Sequence, residues 1–475
     1  MTRRLAKGAA LIGLFLAASS GALAQAAKPA PTETALALKL RPGLDPRGAD
    51  FYPSTYKPIA SRPVAIVNAN ILTGTGAEIR GGTIVLSGGK IAAVGQGVTP
   101  PAGAQIVDAA GRWVTPGVID AHSHLGAFSS PGVDGTRDGN ENVDPVTPQV
   151  WVEHSVWPQD PGFDRARAGG VTSLMILPGS ANLFGGRSVA LKNVPATTVQ
   201  AMKFPGAPYG LKMACGENPK ERYGSRGRSP ATRMGNLAVT RRTWIEAGDY
   251  ARRWEAFGRR GTGDAPKRDV GLDTLSGVLN GDISVQNHCY RADEMGVVLD
   301  LAKEFGYRVT AFHHAVEAYK IADLLKANNV CAAVWANRLV GKMEGNDAIE
   351  ENAGILQQAG VCVAIHSDSA TVIQRLNIES SIALAAARRA GIQISDAEAV
   401  KWFTANPAKI MGVLDQTGTL EVGKMGDVVL WSHNPFDIYA VAKKVYIDGA
   451  QVYDDDDPAQ QHRSDFELIQ PKEVN

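Results

Sequence analysis

Two histidines separated by a single residue, His122 and His124, end the stretch Val114-Thr-Pro-Gly-Val-Ile-Asp-Ala-His-Ser-His-Leu125. On an extended strand, residues i and i+2 share a face, so both imidazoles project together from one strand end. Nitrogen donors at that spacing suit two coordination positions of one divalent ion, which activates water and polarises carbonyls for hydrolysis. A bare His-x-His fits two surface side chains equally well. The apolar Val118-Ile119, the Pro116-Gly117 entry and the preceding Asp120 favour a metal.

The elements that must position this pair are legible on both sides of it. From Pro63 to Val114 short β-rich runs (Ala65–Ala69, Thr83–Leu86, Lys90–Val94, Gln105–Asp108) are separated by turns such as Gly81-Gly82 and Gly88-Gly89. The same hairpin grammar returns in Gly418–Trp431 and Val441–Tyr453. Between them, strand-like segments (Val171–Leu177, Gly210–Cys215, Ile283–Gln286, Arg308–Phe312, Val330–Val334, Val361–Ile365) alternate with helix-like ones (Ala292–Phe305, Ala318–Asn328, Ile378–Ala390). That alternation argues a parallel sheet with helical crossovers, close to a (β/α)8 barrel, whose active site sits at the strand C-termini. The arginine-rich stretch Glu217–Asp269 interrupts it. Two readings stay open there: a solvated helical excursion salt-bridged to itself, or a lid whose arginines hold a substrate carboxylate.

Bulk properties exclude some classes. The chain of 475 residues has 49 basic and 48 acidic side chains, a formal charge of +1, so no global field draws nucleic acid or an anionic membrane. Arg3, Arg4 and Lys7 precede an apolar run and Ala22-Leu23-Ala24, the grammar of an export signal cut after Ala24. A periplasmic or secreted location follows as an expectation. The four cysteines (Cys215, Cys289, Cys331, Cys362) lie in or beside strand-like runs without Cys-x-x-Cys spacing and read as buried free thiols.

The stretch around His122 resembles the first-strand signature of the metal-dependent amidohydrolase superfamily, Pro-Gly-hydrophobic-Ile-Asp-x-His-x-His, with the imidazolonepropionase-like and hydantoinase-related members the nearest in pattern. The resemblance extends over most of the chain. It implies a TIM barrel with a small discontinuous β-sandwich domain built from both chain ends, and Thr404-Ala-Asn-Pro-Ala-Lys409 looks like the helix that closes the barrel. The expected division is signal 1–24, extended arm 25–62, sandwich 63–115 and 418–455, barrel 116–417 with an insertion at 217–280 after the fourth strand, and tail 456–475, whose Asp454–Asp457 reads as a solvated acidic end.

The same resemblance implies the remaining ligands. Lys212, in Gly210-Leu-Lys-Met-Ala214, is similar to the fourth-strand lysine that hydantoinase-like members carbamylate to bridge two metals, and Glu217 is the rival bridging group. His288 resembles the fifth-strand ligand. Of the adjacent His313 and His314 only one should face the mouth, because consecutive strand residues point to opposite faces, and spacing to Glu317–Lys320 favours His314. Ile365-His-Ser-Asp-Ser369 resembles the eighth-strand signature, with Asp368 as ligand and general base and His366 as a structural neighbour. Tyr290 and Arg291 are candidates for the oxyanion or a substrate carboxylate.

This set implies two divalent metals, zinc first, with manganese, iron or cobalt compatible. The expected reaction is hydrolysis of an amide-like C–N bond, in a dipeptide, N-acyl amino acid or cyclic amide, by metal-activated hydroxide with Asp368 moving the proton. Alternatives are a mononuclear deaminase of the same superfamily, or a catalytically retired barrel that binds without turnover. The expected partner is a small molecule, with no nucleic acid and no membrane after signal cleavage. The sequence leaves monomer and homo-oligomer open.

Overall fold

The computed structural model describes residues 47–337 and 341–460. The export signal, most of the proposed arm and most of the tail lie outside the described residues.

Two eight-stranded sheets organise the protein. The first takes β1 (Val64–Leu72), β2 (Glu78–Ser87), β3 (Lys90–Gly95), β4 (Gln105–Asp108) and β5 (Trp113–Pro116) from one chain end. The second begins at β6 (Val118–Ser123) and continues through α1 (Pro161–Ala168), β7 (Val171–Ile176), β8 (Phe184–Lys192) and β9 (Gly210–Ala214). Three helices follow in the inserted region: α2 (Glu217–Gly224), α3 (Arg233–Arg260) and α4 (Val270–Asn280). The alternation then resumes with β10 (Ser284–Cys289), α5 (Ala292–Phe305), β11 (Ala311–His314), α6 (Ala322–Ala327), β12 (Cys331–Val334), α7 (Asn352–Ala359), β13 (Val363–Ile365) and α8 (Leu376–Arg389). After α9 (Asp396–Ala399) and α10 (Ala405–Met411), β14 (Val428–Trp431), β15 (Ala442–Ile447) and β16 (Ala450–Asp454) rejoin the first sheet.

The order β16-β15-β14-β5-β1-β2-β3, with β4 beside β1, joins both chain ends in one hydrogen-bonded sheet. The sequence had suggested a sandwich; the ladder is continuous. β1 manages two parallel neighbours by splitting its length, Val64–Val67 on β4 and Asn70–Ile71 on β5.

The second sheet runs β6 to β13 in sequence order and is TIM-barrel-like. It departs from strict β/α alternation at β8, which is antiparallel to both neighbours. Residues 177–183 between β7 and β8 are too few for a parallel crossover, which needs about a dozen residues. Closure comes from the chain after β13: Asp368 N donates to His122 O at 3.0 Å, and Ser367 donates its amide (3.3 Å) and its hydroxyl to the Asp120 carboxylate.

Gly117 alone separates the two sheets. A Cβ there would lie 2.0 Å from Thr172 Oγ1, so the position requires glycine for close approach, where the sequence had suggested a turn. The sheets are also tied by Lys192, fully buried on β8, which meets Asp427 at 2.8 Å and Asp448 at 3.3 Å.

One expectation fails. The cysteines are not free thiols: Cys215 bonds Cys289 and Cys331 bonds Cys362. Each pair sits on neighbouring strands, with Cα atoms 5.2 and 4.6 Å apart, a proximity that only the parallel register creates. The acidic end lies at the surface as expected, with Lys443 beside Asp455 and Asp456 and Lys444 beside Asp454.

Candidate metal centre

The C-terminal ends of the barrel strands bring one group of side chains together. His122 leaves β6 fully buried, and its Nε2 lies 3.3 Å from His124 Nε2. Lys212 on β9 is also fully buried, with Nζ 3.2 Å from His122 Nε2. Asp368 Oδ1 stands 3.0 Å from His124 Nε2 and 3.6 Å from His122 Nε2, and its Oδ2 is 4.0 Å from His314 Nδ1. His288, at the end of β10, packs its ring on His314 with centroids 4.5 Å apart.

Backbone conformation helps to aim two of these groups. His314 has φ +69°, Ala315 +39° and Asp368 +49°, left-handed values that cost non-glycine residues energy and are held here by surrounding structure. The turn at His314 separates the adjacent histidines. His313 points into the barrel, its Nδ1 2.9 Å from His122 Nδ1 and its Nε2 2.8 Å from Gln286 Oε1, while His314 turns to the mouth. Both histidines are therefore interior, one beneath the other.

Burial sets the electrostatics. It is the largest influence on His122, His288 and His313, with the Lys212 charge next, and all three are pushed well below the usual imidazole value. His314 moves the same way through burial and then His288. Burial brings Lys212 down to about 7. For Asp368 burial works upward, but the His124 hydrogen bond and charge, with His366 and Lys212, outweigh it and hold the carboxyl at about 2. Asp120 is raised to about 7 by burial, against hydrogen bonds from Ser367 and the His122 amide. Neutral imidazoles beside an ionised carboxylate are the protonation states that cation ligands need.

The donor set fits a divalent cation on local grounds as well. His288 Nδ1 and His314 Nδ1 are buried without a hydrogen-bond partner among the described residues. Buried polar atoms in folded proteins are nearly always satisfied, so convergent orphan nitrogens call for a further occupant. Two trios have ligand atoms close enough to share an ion: His122, His124 and Asp368, and His122, His314 and His366.

The remaining candidates separate. Glu217 begins α2 with its carboxylate 3.8 Å from Lys342 Nζ, and it joins neither trio. Tyr290 is buried against His288 and His314, with ring centroids 4.8 and 5.3 Å away. Arg291 does not reach the site: just before α5 it pairs with Asp293 at 2.9 Å, a partner two residues away that offers a closer fork than the barrel mouth.

Three participants escaped the sequence reading. His366, taken there as structural, stacks on His122 at 5.0 Å and belongs to one trio. Asn218 Nδ2 reaches His288 Nε2 at 3.4 Å and Ser180 Oγ at 2.8 Å, and Lys342 donates to Asn218 Oδ1. His366 had a signal, its place beside Asp368. Asn218 and Lys342 had none, since both arrive on loops and an insertion.

Comparison with known proteins decides the lineage. An amidohydrolase structure from Thermotoga maritima MSB8 superposes with a TM-score of 0.76 at 35% identity, covering 82% of this chain and 100% of that one. The chain belongs to the amidohydrolase family. The model of the amidohydrolase family matches residues 306–453, which include His314 and Asp368. This amidohydrolase is also 31% identical over 375 residues to Amidohydrolase tasK of Hapsidospora irregularis; the match takes 75% of this chain but spans only 38% of that protein's length. A 5-methylthioadenosine/S-adenosylhomocysteine deaminase from Desulforudis audaxviator (strain MP104C) is 23% identical over 396 residues, 78% of this chain and 85% of that one.

Proposed function

We propose that this amidohydrolase hydrolyses an amide-like C–N bond in a small molecule, using a metal centre held by His122, His124, Lys212, His288, His314 and Asp368. The observation that carries the reading is the gathering of His122, His124, His314 and Asp368 ligand atoms at the strand ends, with His288 packed on His314 and a buried nitrogen of each without a partner among the described residues. A divalent cation there supplies Lewis acidity for water and for the scissile carbonyl. Zinc suits the nitrogen-rich set, and a carbamate on Lys212 would let two ions share the site.

The chain's own groups do the rest. Asp368, 3.0 Å from His124, accepts a proton from the attacking water at a carboxylate oxygen and returns it to the departing nitrogen. Tyr290 offers a donor to the oxygen of the tetrahedral intermediate. Asp120, through Ser367 and the His122 amide, fixes β6 against the segment carrying Asp368.

Export to an oxidising compartment is part of the proposal, supported by the two disulfides and the signal-like residues 1–24. The test is elemental analysis of the purified protein, then release of free amine from dipeptides and N-acyl amino acids before and after chelation. Metal-dependent release supports the reading. Protein that takes up zinc and manganese yet cleaves no C–N bond would sink it. Ammonia release from aminated rings alone would favour the deaminase class to which one relative belongs.

A further inference from the structure

A cleft of about 600 Å³ opens from His124 and Asp368, and its far wall is the inserted helix α2 with the turn that follows. Arg222 stands on that wall from α2 and Arg226 from the turn after it, with Ser180 and Phe128 also lining the cleft.

Of the nine other arginines of the insertion, five pair with carboxylates, Arg268 with Asp273 among them. Arg228 pairs with Asp144 at 3.6 Å, Arg233 with Glu294 at 2.7 Å and with Glu344, Arg241 with Glu304 at 2.6 Å, and Arg252 with Asp249. Several of these partners lie outside the insertion, so its charges clamp it to the barrel. Arg222 and Arg226 have no carboxylate partner among the described residues. Arg222 Nε is, moreover, buried without a hydrogen-bond partner. A guanidinium stays charged at any working pH, and a buried N–H without an acceptor calls for one.

The scaffold beneath them is fixed. Tyr223, fully buried between the two, donates to Asp144 O at 2.7 Å, and Asn236 of α3 holds Gly216 O at 2.9 Å. Asn218 ties the start of α2 to His288. Arg222 is therefore presented from a helix registered to the candidate metal centre, and Arg226 from the turn that ends it, as preorganised recognition needs. Glu221, exposed on the same helix, is a further carboxylate of the cleft, alongside Asp368. It lowers the net positive charge of the cleft, and a carboxylate fits the planar fork of each guanidinium.

We propose that Arg222 and Arg226 form an anion subsite for a substrate carboxylate. The bond cleaved then belongs to a carboxylate-bearing amide, such as an N-acylated amino acid or a peptide with a free C-terminus. This rests on the C–N hydrolase reading for its second half only.

The experiment separates the two. Succinate, which has no C–N bond, and its neutral dimethyl ester are titrated by calorimetry into the full chain as purified and into R222Q and R226Q, with metal content and circular dichroism measured on each. The expected result is succinate binding that weakens about tenfold in each variant at unchanged metal content, and no binding of the ester. Equal succinate affinity in all three proteins, no succinate binding to the parent, or equal binding of acid and ester overturns the subsite. A second arm compares kcat/KM for N-acetyl-L-alanine and its methyl ester. A preference for the acid that collapses in R226Q through KM supports the subsite. Equal rates for acid and ester in every protein overturn it and leave the hydrolase intact. Succinate binding without hydrolysis of any amide counts against the hydrolase and leaves the subsite standing.

Discussion

Lys212 Nζ lies 3.2 Å from His122 Nε2, and among the described residues no carboxylate comes within ion-pair distance of that fully buried ammonium. A buried cation is costly, and burial, only partly offset by the Asp368 charge, brings this amine down to about 7. A neutral amine at neutral pH is nucleophilic toward carbon dioxide, and the carbamate formed would be an anion facing imidazole ligands.

The first prediction follows from that geometry. Native mass spectrometry should find the protein heavier by one carbon dioxide per chain, lost on denaturation in acid. Lys212→Ala should lose bound metal and about 100-fold or more of activity, with partial recovery in a short carboxylic acid that restores an anionic oxygen. An unmodified mass together with full metal content in Lys212→Ala would remove the lysine from the centre.

Asp368 is the second target. Its carboxylate is 23% exposed, ionised, and 3.0 Å from His124, so it faces both the imidazoles and the cleft. Asp368→Asn keeps the shape and removes the proton acceptor. We expect kcat to fall by about 10²–10⁴ with KM changed far less and metal retained in part. A rate within a few-fold of the parent would reassign the proton transfer.

How far these residues could be seen in the sequence depended on whether geometry was local. His122 and His124 were legible because a two-residue strand period is local, and their nitrogens do converge. The barrel strands were legible because buried parallel strands read as short apolar runs. β8 was not, because Phe184-Gly-Gly-Arg-Ser mixes glycine and charge, and Arg187 is buried through partners distant in the chain, among them Ala49, Trp151 and Thr274. The disulfides were invisible for the same reason: Cys215 and Cys289 are 74 residues apart and become neighbours only when β9 and β10 pair. His314 was legible over His313 because consecutive strand residues face opposite ways, and His313 does lie beneath it, bonded to His122 and Gln286.

The third prediction concerns Cys215–Cys289, which joins the residues just after the Lys212 strand and just after His288. Cross-linking a loop of this size contributes about 2–4 kcal/mol, chiefly by restricting the unfolded chain. Cys215→Ser/Cys289→Ser should lower the midpoint of thermal unfolding by about 5–10 °C. It should also weaken metal retention during dialysis against a mild chelator, since two ligand strands lose their tie. Unchanged metal retention with a lowered midpoint would make the bond purely a stabiliser. Free thiol titration under denaturing, non-reducing conditions should find no reactive cysteine in the parent.

The last prediction tests the joint between the sheets. Lys192 is fully buried and meets Asp427 at 2.8 Å and Asp448 at 3.3 Å, with Tyr56 donating to Asp448. Burial first, and Asp427 second, raise the Asp448 carboxyl above its ordinary value, and Lys192 works against both. An aspartate whose folded value is raised favours the fold most at low pH, and that contribution is lost as pH rises through the folded value. Lys192→Met leaves two buried carboxylates facing each other, so the Asp448 carboxyl should be raised further. We expect a loss of about 3–5 kcal/mol near pH 8, the usual cost of breaking a buried ion pair. The deficit should shrink toward pH 5 as one carboxyl takes up a proton. Urea unfolding of parent and variant across that range reads it directly. A deficit that is constant, or that grows on acidification, would show that Lys192 acts through packing and not through its charge.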